Sequence, residues 1–231
     1  MSSFTLALAT FVALHIGVSA TALRAAIVAR IGERAYRGVF ALASLAALIW
    51  MIVAVRAVMA DLDDPLQTPV WTPPVWGRHA TQGLVLIAFL FAASGLLTPG
   101  PTTAGCEGAL AKETPARGVL RITRHPFLWG VAIWAGAHLL ANGAAYQVML
   151  FGSLGLMSLY GTRSIDRKSA ARDPEGWARF AAATSNMPFA AILQGRNRLV
   201  FSELWLRLLA ALALFALAAA VHGWLGRPVF P

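Results

Sequence analysis

A chain of 231 residues that is 58% hydrophobic and only 13% charged carries more apolar surface than a soluble domain of its size can bury. Its mean hydropathy of +0.65 and repeated apolar runs near one membrane thickness predict an all-α, polytopic transmembrane helix bundle. The net charge of +9 does not point to nucleic acid, because the basic residues sit in loops between apolar runs, without interleaved aromatic residues. One cysteine, Cys106, excludes an intramolecular disulfide and hints at a reducing side for its loop.

Six spans are expected: Phe4–Leu23, Gly38–Met59, Ala80–Leu97, Phe127–Ala141, Ala144–Thr162 and Leu204–Leu225. The first lacks the positive n-region of a cleavable signal peptide, since Met1, Ser2 and Ser3 are uncharged. Spans four and five nearly fuse at Asn142-Gly143 and predict a tight antiparallel hairpin. Lysine and arginine set the orientation. The odd loops hold fifteen of them: Arg24, Arg30, Arg34 and Arg37; then Lys112, Arg117, Arg121 and Arg124; then seven between Arg163 and Arg198. The even loops and termini hold only Arg78 and Arg227. By the positive-inside rule both termini lie outside and the basic loops face the cytoplasm, which in a bacterium means an inner-membrane protein. The last basic loop, about 164–203, contains Asp173-Pro174-Glu175, an N-cap, proline and acid start signal followed by Trp177 and Phe180. It predicts a short amphipathic helix on the cytoplasmic face, either resting on lipid or closing a site. No second soluble domain or internal repeat is visible, so 1–231 reads as one transmembrane domain.

Two of the five histidines stand inside apolar runs, where a titratable ring is costly. His15 and His138 each lie eleven residues, or about 16 Å of helix rise, from the start of their spans. Because those spans run in opposite directions, both rings are expected near the middle of a core of roughly 30 Å. Opposed imidazoles at one depth suit the two axial positions of a haem b. Zinc would want three or four ligands, and this interior offers no carboxylate. Trp134 supplies a flat wall beside His138, Gly130 a gap and Asn142 a polar end, and Ser19 is placed to orient His15. The competing expectation is that each histidine only hydrogen-bonds a neighbouring helix. His79 and His222 read as interfacial residues at the outer ends of spans three and six. His125 is too far along its helix to oppose His138. With Arg121 and Arg124 it forms a cationic cluster at a helix N-terminus, suited to an anion or lipid headgroup, or acting as a positive-inside anchor.

Three stretches carry a family resemblance: RITRHPFLWGVAIWAGAHLLANG (Arg121–Gly143), HIGVSATALRAAIVARIGERAYRGVFALASL (His15–Leu45) and ATSNMPFAAILQGRNRL (Ala183–Leu199). Together they resemble the NnrU family, bacterial membrane proteins linked to nitric oxide and nitrite metabolism in denitrifiers. The resemblance extends to the plastid zeta-carotene isomerase, a haem b protein that turns a 15-cis double bond to trans. It implies haem ligands at His15 and His138, and it aligns His125 with the histidine of an RHP motif. A further histidine of the isomerase, after its second span, has no counterpart here, where Arg56-Ala57-Val58-Met59 stands. Arg124-His125-Pro126 and Gly130 also resemble the motif of S-adenosylmethionine-dependent membrane methyltransferases, though the paired acidic motif of those enzymes is absent.

The expected function is therefore that of a haem-binding NnrU-like protein of nitrogen-oxide metabolism. The alternatives are a haem-dependent cis–trans isomerase of an apolar polyene, a methyltransferase, or a cofactor-free accessory protein.

Overall fold

The computed structural model describes residues 2–111 and 116–226; Lys112 and Arg227 of the charge pattern fall outside them. Nine α-helices are found among the described residues: α1 Ser3–Val12, α2 Ala22–Ile31, α3 Glu33–Ala60, α4 Val75–Leu96, α5 Pro126–Ala141, α6 Ala145–Arg172, α7 Pro174–Ala183, α8 Ala190–Leu193 and α9 Trp205–Trp224. Between them lie turns and short 3₁₀ segments, with a single isolated bridge between Pro69 and Ala144.

Three helices, α3, α4 and α9, are long and apolar enough to cross a membrane, and a fourth span results if α1 and α2 are counted together. Their apolar side chains face outward: Leu42 is 70% exposed, Val53 61% and Leu217 60%. Large apolar faces of this kind are paired with lipid, not water. The other expected spans differ for local reasons. Helix α5 is apolar but only 16 residues long, about 24 Å. Helix α6 is diluted by Gln147 and several serines and glycines, then continues as a charged extension from Arg163 to Arg172.

The first span is broken. Helix α1 widens into a π-helical stretch, Ala13–Val18, and α2 departs at 80° after Ser19-Ala20-Thr21. Thr21 causes the restart, its extended backbone and side-chain oxygen receiving the Leu23 N–H as an N-cap.

Helix α5 sits between α4 and α6, α9 packs on α4, and α1 packs on α3. Glycines permit the closest approach of α4 and α5. A Cβ on Gly130 would stand 2.6 Å from Ala92 and 2.8 Å from the Ala88 carbonyl. The gap expected at Gly130 is thus filled by α4. Thr81 donates across the same seam to the Ala137 carbonyl, 2.7 Å away. At one end of the bundle the Asn142-Gly143 turn is locked to the 61–74 loop by Val70 N–H to Gly143 O (2.7 Å) and Trp71 Nε1 to Asn142 O (3.2 Å). The opposite end gathers Arg117, Arg121, Arg124 and the α6 extension. These are called the turn end and the basic end below.

Helix α7 forms where its start signal predicts, with the Asp173 carboxylate capping the Gly176 N–H. Its apolar face packs on protein. Phe180 is fully buried against Leu110 and Ala116, with Trp177 alongside, so α7 is docked on the loop that follows α4.

Candidate functional site

The basic head of Arg121–Gly143 is internally paired. The Arg121 guanidinium meets both Glu203 oxygens at 2.9 Å and donates to Asn197 Oδ1. Hydrogen bonds from Arg121 hold Glu203 down at about 2, and the Gly118 N–H adds to the effect. Arg124 forks onto Asp166, with contacts of 2.9 and 3.1 Å, while its guanidinium lies over the Trp177 ring. His125 is buried, and its Nε2 lies 2.5 Å from Asp166 Oδ1. Burial pushes this imidazole below its ordinary value, with Asp166 acting the other way. Burial works to raise the Asp166 carboxyl, yet hydrogen bonds and charge from His125 and Arg124 hold it low. The pair is therefore a neutral His125 donating Nε2–H to an ionised Asp166. Around it, Thr123 and Trp129 donate to the Asn186 carbonyl and Arg124 N–H reaches the Ser185 carbonyl.

Two of the family-like stretches thus form one unit, 121–129 clasped by 183–199. An external anion would have to displace Glu203 or Asp166. Those two carboxylates, distant in sequence from the arginines they meet, are what sequence reasoning missed.

The intramembrane histidines share a different geometry. His15 Nδ1 lies 2.8 Å from the Phe11 carbonyl, and His138 Nδ1 lies 2.8 Å from the Trp134 carbonyl. Each bond runs one helical turn back, fixes the ring and leaves Nε2 as the open nitrogen. The group orienting His15 is therefore the Phe11 carbonyl, not Ser19, whose own carbonyl receives Lys168. Aromatic rings flank both imidazoles: Phe11 and Phe40 at 4.3 and 5.3 Å from His15, Trp134 and Phe151 at 4.5 and 4.7 Å from His138. Asn142 donates to the His138 carbonyl and so secures the same turn.

The expected equality of depth does not follow from these helices. Phe4, beginning α1, meets Tyr146, beginning α6, so the tops of α1, α5 and α6 share the turn end. From there His15 lies about 18 Å down α1, whereas His138 lies about 5 Å down α5. Counting inward from opposite faces assumed a 30 Å thickness that the 16-residue α5 does not have. Side chains lean toward helix N-termini, so the two rings tilt toward each other across this offset. His222 lies within electrostatic reach of His138, and its Nδ1 is likewise tied to the carbonyl one turn back, Ala218, at 2.9 Å.

The family model for "NnrU protein" matches residues 3–229. The chain belongs to the NnrU family. Among curated proteins, the "15-cis-zeta-carotene isomerase, chloroplastic" of Zea mays is 32% identical over 180 residues, covering 73% of this chain and 45% of the relative. The Arabidopsis thaliana protein of the same name is 33% identical over 174 residues, covering 72% and 44%. The chain spans less than half the length of these curated relatives. No solved structure matches.

In this NnrU domain His15 and His138 each present an anchored Nδ1, an open Nε2 and flat aromatic neighbours, at the unequal depths just described. Among the described residues no group of three or more histidine, cysteine or acidic side chains assembles for another metal.

Proposed function

We propose that this NnrU-family protein is a six-span inner-membrane protein with both termini outside, and that it isomerises a cis double bond in an apolar polyene reached from the bilayer. The observation that carries this reading is the similarity, over nearly three quarters of the chain, to two proteins named as 15-cis-zeta-carotene isomerases. We further propose a haem b held at His15 and His138, with Trp134 and Phe151 as the wall beside His138. When bound, the haem would supply the reactive iron. The chain's own residues hold the imidazoles by their Nδ1 atoms and flank them with aromatic rings, with no charged side chain among the rings stacked on them. An apolar substrate needs none.

The test is a visible spectrum of protein purified from haem-replete cells, followed by incubation with a 9,15,9′-tri-cis polyene. A Soret band lost or shifted in His15→Ala and His138→Ala, with a changed polyene spectrum, is the expected result. Absence of the band overturns the haem assignment, and loss only in His222→Ala reassigns the ligand. A Soret shift on adding nitric oxide, with no polyene turnover, would favour the nitrogen-oxide role instead.

A further inference from the structure

Away from both sites, a cavity of about 410 Å³ opens at the basic end between α3, the α6 extension and the 101–107 loop. Four cations line it, Arg24, Arg37, Lys168 and Arg172, against two carboxylates, Glu33 and Glu107. The acids are already engaged. Glu33 is shared by Arg24 and Arg37, and Glu107 by Arg37 and Arg172. Lys168 has no acidic partner among the described residues; its ammonium donates to the Ser19 carbonyl, left open where the first helix breaks. One such bond occupies one of its three donors.

A second observation lies in the same wall. Tyr36 is 6% exposed, and its hydroxyl is buried without a hydrogen-bond partner among the described residues, while Arg24 covers its ring at 5.3 Å. The remaining wall mixes apolar Phe40, Ala41 and Ile165 with the hydroxyl residues Thr102, Thr103 and Ser169, and Phe40 is the ring that meets His15 edge-on. Burial first, and then the like charges of Arg24, Arg172 and Arg167, pull Lys168 below its ordinary value. The cavity therefore holds excess positive charge and an ammonium with donors to spare, beside a buried unpartnered hydroxyl and a partly apolar wall.

We propose that this cavity binds a phosphate monoester or diester head, with Lys168 and the Arg24 and Arg172 forks as its counter-charges and Tyr36 as a neutral donor. The arginine fork matches phosphate oxygens in pairs, and basic pockets between membrane helices are suited to anionic headgroups. The apolar part of the wall favours a phospholipid as the source, with a soluble phosphate as the other. The site does not depend on haem or on the isomerase reading.

Native mass spectrometry from nanodiscs of phosphatidylglycerol or phosphatidylcholine tests it on the full-length protein. The expected result is one retained phosphatidylglycerol, with retention reduced about tenfold in Lys168→Met, kept in Lys168→Arg, and unchanged in the exposed control Arg198→Gln. Tyr36→Phe should weaken retention less than Lys168→Met. If inorganic phosphate raises the melting temperature of wild type but not of Lys168→Met, while lipid is not retained, the anion site stands with a soluble source. Equal retention of both lipids by wild type and Lys168→Met, with no phosphate effect, overturns the proposal.

Discussion

Asp166→Asn is the sharpest perturbation of the basic end. The carboxylate takes two fork contacts from Arg124 at 2.9 and 3.1 Å, one from His125 at 2.5 Å and a longer one from Asn186 at 3.4 Å. Both charged side chains are largely sequestered, Arg124 at 14% exposure and Asp166 at 19%. An amide of the same shape keeps one acceptor but leaves the guanidinium without its counter-charge, at a cost of about 2–4 kcal/mol. For a chain of 231 residues that corresponds to a melting temperature lower by roughly 5–15 °C.

The pH profile gives a second readout. His125 is held below its ordinary value of 6.5, so its share of stability is present above that pH and declines as pH falls beneath it. Asp166 is held below 3.8, so its share is present above that value and disappears on further acidification. Thermal unfolding in mild detergent from pH 8 to pH 3 should show a plateau, a first decline below 6.5 and a steeper one below 4. Asp166→Asn should start lower and show a shallower second limb, the remainder belonging to Glu203. A variant melting within about 1 °C of wild type, with both limbs intact, would refute the reasoning.

Other outcomes follow from the same geometry. Gly130→Ala places a Cβ 2.6 Å from Ala92 and should cost about 1–3 kcal/mol by forcing α4 and α5 apart, seen as a lower melting temperature. Phe180→Ala empties a fully buried position and should cost about 3–5 kcal/mol, with new cleavage in the loop after α4 on limited proteolysis. Glu203→Gln should cost about 1–2 kcal/mol, discounted because that side chain is 31% exposed. Glu203 titrates at about 2 rather than its ordinary 4.5, so the wild-type advantage should be full above pH 4.5 and vanish as the pH nears 2.

Much of this architecture is legible in the chain because its signals are local. Pro126 begins α5 as a first-turn proline, and Asp173-Pro174-Glu175 begins α7. Apolar runs alone locate α3, α4 and α9. What escapes local reading depends on partners far along the chain. The cationic head looked open because Asp166 is 42 residues from Arg124 and Glu203 is 82 from Arg121. Whether helix α7 rests on lipid or closes a site could not be read locally, because the apolar patch it covers, Leu110 and Ala116, lies in a loop without periodicity. The break in the first span was visible in principle. Thr21 before an apolar run is an N-cap signal, outweighed in a hydropathy reading by the apolar residues on either side.

The shortness of α5 bears most directly on the two imidazoles. If both were to hold one iron, their Nε2 atoms would have to come together, whereas the backbone positions differ in depth by about 13 Å. The side-chain lean of two helices running in opposite directions recovers part of that offset, since His15 tilts toward the turn end and His138 toward the basic end. The distinction is spectroscopic. Iron with two imidazoles is low-spin, so His15→Ala should retain haem, turn it high-spin and open it to carbon monoxide if His138 alone can hold it. If His15 is not a ligand, its removal leaves the low-spin spectrum untouched, and His222, which interacts electrostatically with His138, is the next imidazole to replace. A low-spin spectrum that survives His15→Ala but collapses in His222→Ala would keep the cofactor and replace the pair.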